Sequence, residues 1–367
     1  MKQAQESFLV FLDNQVNTEE NFQNLINILD NLKIREDHHK TKSFLYLIVE
    51  IANNHYRYPN FFSKIDKVLQ LFKGCIQNFF SNSEIFNIFH SNKRVLLFLF
   101  NEQILQMDQY IINKIRTNEN EYMGYPQYFA PEIKSYINEN WIPKRIYWID
   151  GIPEELPENF YENRERGESE SELLKLIRED SIIEFISYTN SNEIDLHIKI
   201  DLSIYETNSL LIEIFKDKQK FYYDPNYDHV GISLISYAAF FGSFRIFNYL
   251  LNKGASTHCL WEFAIHGANM RIFRIIENDI DIKGSFYDAI KNHNNNFALF
   301  IRSNYLQYTE SCTYVALQYH NFYFVEPNLI DNSLISTLCW YEYNNLVEFL
   351  LKNGGFDINE PVAVYEI

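Results

Sequence analysis

The residues that could do chemistry in this chain are ten histidines, four cysteines and a pair of serines in an acidic run. Cys75, Cys259, Cys312 and Cys339 lie far apart with no CxxC pair, so they form neither a disulfide framework nor a thiolate metal knuckle. Buried thiols in a reducing cytosol are the simplest account. His38 and His39 sit in a charged stretch with Glu36 and Asp37, and no HExxH pair exists. His293 and His320 fall on one position of a repeat described below. Stacked helices sit roughly 10 Å apart, whereas Zn–N bonds are about 2.0–2.1 Å; two such histidines cannot share an ion, and read as turn residues. There is no phosphate loop, no dinucleotide-binding GxGxxG, no GxSxG elbow and no kinase motif set. The expectation is no metal, no cofactor and no enzymatic activity. Ser169 and Ser171, within Gly167–Glu172, read either as an acidophilic-kinase target or, preferably, as a helix N-cap in which Ser169 pairs with Glu172.

These side chains must be positioned by helices. Gly (11) and Pro (9) make up only about 5% of the 367 residues, against roughly 12% in average proteins, which predicts long elements with short joints. Apolar residues recur near a 3.6 period through Phe22–Leu29, Phe44–Ala52, Phe61–Phe72, Ile85–Phe89, Val95–Leu105 and Ile111–Ile115. Asn17 and Glu20 resemble a capping box at the head of the first of these. Residues 1–125 therefore read as an α-helical head. Residues 126–172 hold Pro126, Pro131, Pro143, Pro153 and Pro157 and, toward their end, many carboxylates; they read as an irregular, acidic, solvated connector.

The net charge is −17. A nucleic-acid binder needs a basic footprint to displace counterions from phosphates, and none is present, so no nucleic-acid partner is expected. The longest clear apolar run, Val95–Phe100, is far too short to span a bilayer. With no basic leader before an apolar stretch, the reading is a cytoplasmic protein without membrane insertion.

From residue 231 the sequence repeats itself. The clearest copy has Gly231 opening the unit, Ser233 capping a first helix, Ala238 and Ala239 as small contact residues, and Gly242 at the inter-helix turn. Ile246, Phe247, Tyr249, Leu250 and Leu251 then form a second helix's stripe, closed by Gly254-Ala255. Further copies are anchored on Ala264, Ala289, Ala316 and Leu338, at spacings of 26, 25, 27 and 22 residues. Residues 173–186 read as one more helix pair upstream. The fourth copy is broken by Pro327, and the fifth closes on Gly354-Gly355, before Asp357-Ile358-Asn359.

The 231–255 copy resembles an ankyrin repeat, with Ser233 where that family places a capping Thr. The ankyrin period is about 33 residues; the shortfall falls on the β-hairpin, since both helices remain visible. Over about 173–360 the chain resembles the trichomonad ankyrin-type proteins whose divergent short repeats are catalogued as a domain of unknown function. The resemblance implies an all-α fold: a helical head, the connector, and over 173–367 a degenerate ankyrin-type helix-pair solenoid with few or no β-hairpins. It also implies protein binding as a scaffold through the concave face, at the ends of the first helices. Those slots hold Phe240 and Phe241, His266 and Gly267, Lys291 and Asn292, Gln318 and Tyr319, and Trp340 and Tyr341. Phe240 and Phe241 have a competing reading, as filler for space vacated by the short hairpins. The alternative function is an adaptor, whose head recruits a larger machine such as a ubiquitin ligase or cytoskeletal complex while the repeats choose the client.

Overall fold

A computed structural model describes all residues except 59, 118–123, 140–151, 214–231, 259, 280, 307–311, 327–329, 331–333 and 353–367. Gly231, Cys259, Pro143, Pro327, Gly354-Gly355 and Asp357–Asn359, singled out above, lie outside the described residues.

The regular structure of the described chain is almost all helix. In order, its helices are α1 (Lys2–Asp13), α2 (Thr18–Asn31), α3 (His38–Asn54), α4 (Phe61–Phe79), α5 (Asn82–Phe89), α6 (Lys93–Asn101), α7 (Gln109–Thr117), α8 (Tyr125–Tyr128), α9 (Ala130–Glu139), α10 (Phe160–Arg166), α11 (Glu172–Arg178) and α12 (Ile182–Ser191). Then come α13 (Leu234–Phe240), α14 (Phe244–Asn252), α15 (Trp261–Gly267), α16 (Met270–Ile276), α17 (Ile282–Lys291), α18 (Asn295–Tyr305), α19 (Thr313–Gln318), α20 (Ile335–Trp340) and α21 (Asn344–Lys352). Two-residue strands β1 (Lys199–Ile200) and β2 (Ile232–Ser233) pair antiparallel. None of the helices is long and apolar enough to cross a membrane, among the described residues.

The repeat register read from the sequence is the one the backbone keeps. After each first helix one residue adopts a left-handed conformation: Gly242 (φ 63°), His293 (φ 53°), His320 (φ 53°) and Glu342 (φ 60°). At each, that residue's N–H donates three residues back, to Ala239, Ile290, Leu317 and Cys339. The next N–H donates five back, to Ala238, Ala289, Ala316 and Leu338. This double bond satisfies carbonyls the ending helix would leave open. The acceptors of the longer bond are the anchors identified from spacing. Asp180 (φ 50°) does the same after α11, and Ala268 (φ 46°) takes the place after α15, donating to Ile265. Glycine alone adopts this conformation freely. The non-glycine turns are each strained by roughly 1 kcal/mol and need surrounding contacts to hold them.

The chain forms two compact units: residues 1–64 with 258–367, and residues 65–257. In the second, α11 pairs with α12 and α13 with α14, and the two pairs stack. Asp180 links them, its carboxylate accepting from the N–H groups of Arg245 and Ile246 at the start of α14. Ser233 caps α13 as expected, accepting from Ser236 N–H at 3.2 Å, and Ala238 and Ala239 are fully buried. In the first unit, α15 packs on α16 and α17, α17 on α18 and α19, and α20 on α19 and α21. Their core is built around Phe273, Phe286, Ala289, Ala298, Ala316 and Phe324.

Three local expectations need correction. Asn17 does precede α2, but its backbone is left-handed (φ 55°) and its side chain makes no cap. Helix α11 begins at Glu172 behind Ser171, not Ser169. The Ser169 hydroxyl accepts from Ser171 N–H and its carbonyl accepts from Arg178, which holds Ser169 buried before the helix starts. The segment read as a solvated connector carries α9 and α10 and buries Tyr128, Phe129, Phe160 and Arg164. Arg164 forks onto Glu132, at 2.8–3.1 Å, and donates to the Tyr128 carbonyl. A buried guanidinium paired to a carboxylate on the preceding helix makes this stretch part of the second unit's core.

Candidate functional site

Four of the eight expected contact residues converge on one half-exposed strip. The Lys291 ammonium lies 5.4 Å from the centre of the Tyr319 ring, and Gln318 donates to the Tyr319 hydroxyl at 3.4 Å. Tyr341 lies beside Tyr314 and Tyr319, and burial, reinforced by these phenols and by Glu50, pushes its phenol up to about 12. It stays a hydrogen-bond donor at any ordinary pH. Trp340, next in the chain, is 82% exposed. The strip thus combines amphipathic rings, one cation and one amide, contributed by the ends of α17, α19 and α20.

Phe240, Phe241 and His266 do not belong to it. Phe240 and Phe241 are buried, with ring centres 4.9 Å apart and Phe241 against Tyr237 at 4.7 Å. They fill space inside the second unit, the competing reading raised for them. His266 is also buried, its ring 6.3 Å from Tyr56. That contact exposes the reason sequence reasoning misplaced it: in the first unit, side chains from α1 and α3 cover the inter-helix turns.

The coverage follows the order of the repeats. Lys42 on α3 pairs with Glu342, Tyr46 packs against His320 at 5.2 Å, His55 reaches Asn292, and Tyr56 reaches His266. From Lys42 to His55 a helix rises about 20 Å, which matches two repeat steps of roughly 10 Å. Helix α1 adds Gln5. Its Oε1 accepts from Tyr323 N–H at 3.1 Å, which fixes the amide's orientation, and its Nε2 donates to Asn321 Oδ1 at 2.7 Å and to His293 Nδ1 at 3.1 Å. Asn321 passes its own amide protons to the Ile290 carbonyl and Asn295 Oδ1. A donating Gln5 requires a neutral His293 that accepts at Nδ1.

The histidines divide by charge. His55, the residue that ends α3, contacts an acceptor at each ring nitrogen: Asp13 Oδ1 at 2.8 Å and the Asn292 carbonyl at 2.8 Å. Burial alone would push it down, but the Asp13 carboxylate and both hydrogen bonds win, raising it above its ordinary 6.5. It is a charged clamp, placed at a helix C-terminus, where a cation is favoured. His293, 1% exposed, is held well below 6.5 by burial and then by the charge of His55. Burial alone takes His320, 4% exposed, down to about 3. His320 lies between Tyr46 and Tyr343, stacked on the latter at 5.1 Å.

Asp13, His55, Gln5 and Asn321 were not singled out from sequence. His55 carried a faint signal as the histidine closing an apolar helix. Gln5 carried none, because nothing local to α1 marks a buried amide. Among the described residues no group of three or more His, Cys, Asp or Glu is placed to hold a metal ion. Compared with family profiles, curated proteins and solved structures, the chain matches none.

Proposed function

We propose that this chain is a protein-interaction scaffold, its helix pairs a degenerate ankyrin-type array. In this reading it meets its partner through the strip formed by Lys291, Gln318, Tyr319 and Tyr341 with the adjoining Trp340. The exposed Trp340 beside half-exposed tyrosines carries the reading, since Trp and Tyr dominate interface hot spots. Stacked pairs present an extended surface suited to such contacts. Helices α1 and α3 seated on the repeat turns favour this simple scaffold over an adaptor whose whole head stands free. We place it in the cytoplasm, where the buried thiol of Cys312 and the exposed thiol of Cys339 suit a reducing medium. The test is the triple change Tyr319→Ser, Trp340→Ser and Tyr341→Ser in the full chain. Partner recovery should fall at least tenfold while helical circular dichroism and melting temperature hold. A folded triple mutant that keeps its partner would overturn the reading.

A further inference from the structure

Four of the ten histidines, His55, His266, His293 and His320, are buried where α1 and α3 meet the repeat turns of the first unit. A surface with this many buried imidazoles has an obvious chemical sensitivity. Protonating His293 removes the lone pair that accepts from Gln5. Protonating His320 places a cation between Tyr46 and Tyr343. Among the described residues no carboxylate bonds either ring. Among the described residues the charged groups around them are His55 with Asp13, Lys64 donating to the Leu12 and Asn14 carbonyls, the Lys42–Glu342 pair, and Glu50 near Tyr341 and Tyr343. Lys2 lies over the Tyr323 ring at 4.1 Å and adds a further positive charge near the Gln5 network.

We propose that α1 and α3 are a releasable cover over the repeat turns, latched by neutral His293 and His320 and by charged His55, and that mild acid unlatches it. The proposal stands whether or not the repeats bind a partner.

The direction of the effect follows from linkage. A histidine depressed in the closed state and ordinary in the open state favours opening as pH falls below about 6.5, by up to tenfold per pH unit. At pH 5 each contributes a factor of at most about 30, and the two together at most about 1,000. His55 is raised in the closed state, so it is charged in both states below about 6.5 and does not oppose opening there. It weakens the latch only as pH climbs through its raised value. The cover is therefore tightest near neutrality.

The experiment is hydrogen exchange on the full chain at pH 7.5 and pH 5.0, expressed as protection factors so that the intrinsic pH dependence of exchange cancels. Protection in α1 and α3 should fall between about 30-fold and 1,000-fold, while α5–α14 stay within threefold. The double variant His293→Asn and His320→Asn tests the latch, because Asn tolerates the left-handed turn and does not titrate; its α1 and α3 should lose this pH response. Unchanged protection at pH 5.0, an equal loss throughout the chain, or an undiminished loss in the double variant would each overturn the proposal. If the variant does not fold, imidazole resonances of the wild-type chain decide. His293 and His320 should become protonated only together with the loss of protection, and titration near 6.5 in a still-protected chain would overturn the latch.

Discussion

Replacing Gln5 by Leu keeps nearly the same volume and removes every hydrogen bond the side chain makes. Gln5 is fully buried, so water cannot take its place. Three groups lose a partner: Tyr323 N–H, Asn321 Oδ1 and His293 Nδ1. Each stranded buried group costs about 1–3 kcal/mol. Allowing for local relaxation, the total is about 3–5 kcal/mol, at the severe end for a single substitution. Each 1.4 kcal/mol is tenfold in an opening equilibrium, so protection of the slowest amides in α1, α17 and α18 should drop by about a hundredfold to a few thousandfold at pH 7. Gln5→Glu keeps the acceptor for Tyr323 N–H but sets its second oxygen against Asn321 Oδ1, so it should not restore wild-type protection at pH 7. A Leu variant whose protection stays within threefold of wild type would refute the claim that this amide ties α1 to the repeats.

Glu132→Ala strands the buried Arg164 guanidinium, and breaking such a pair costs about 3–5 kcal/mol; an unmoved urea midpoint for the second unit would contradict this. Ala238→Leu overpacks a fully buried helix contact by roughly 1–3 kcal/mol, lowering the denaturation midpoint, and an unchanged midpoint would refute the assigned contact. Unfolding free energy should peak near neutral pH. Below about 6.5 the depressed His293 and His320 each remove up to about 1.4 kcal/mol per pH unit, and at alkaline pH the raised His55 loses its contribution. Denaturation curves between pH 5 and 8.5 that show stability rising toward pH 5 would contradict the assignment.

The helical class and the repeat register were legible because both rest on local signals. Small residues and turn positions recur at nearly constant spacing, and the same positions carry the left-handed turns from Gly242 to Glu342. What escaped was every feature made by distant residues. Arg164 and Glu132 look like members of an acidic linker until the fold brings them together. Phe240, Phe241 and His266 occupy slots that an array would offer to a partner, yet neighbouring rings fill the first two and Tyr56 approaches the third. Gln5 and His293 are 288 residues apart, and their bond exists only because the amino-terminal segment packs with the last repeats. Lys291, Gln318, Tyr319 and Tyr341 stand at the ends of successive first helices, which is why the repeat spacing singles them out together.

The most direct measurement places a photo-activatable side chain at position 340 of the full chain, in its native cell, with position 183 as control. Ile183 is 76% exposed and lies in the other unit, so it reports chance encounters. Cross-links from position 340 should converge on a recurrent protein partner absent from the control. Equal yields and the same products at both positions would contradict a partner-binding strip at the ends of α17, α19 and α20.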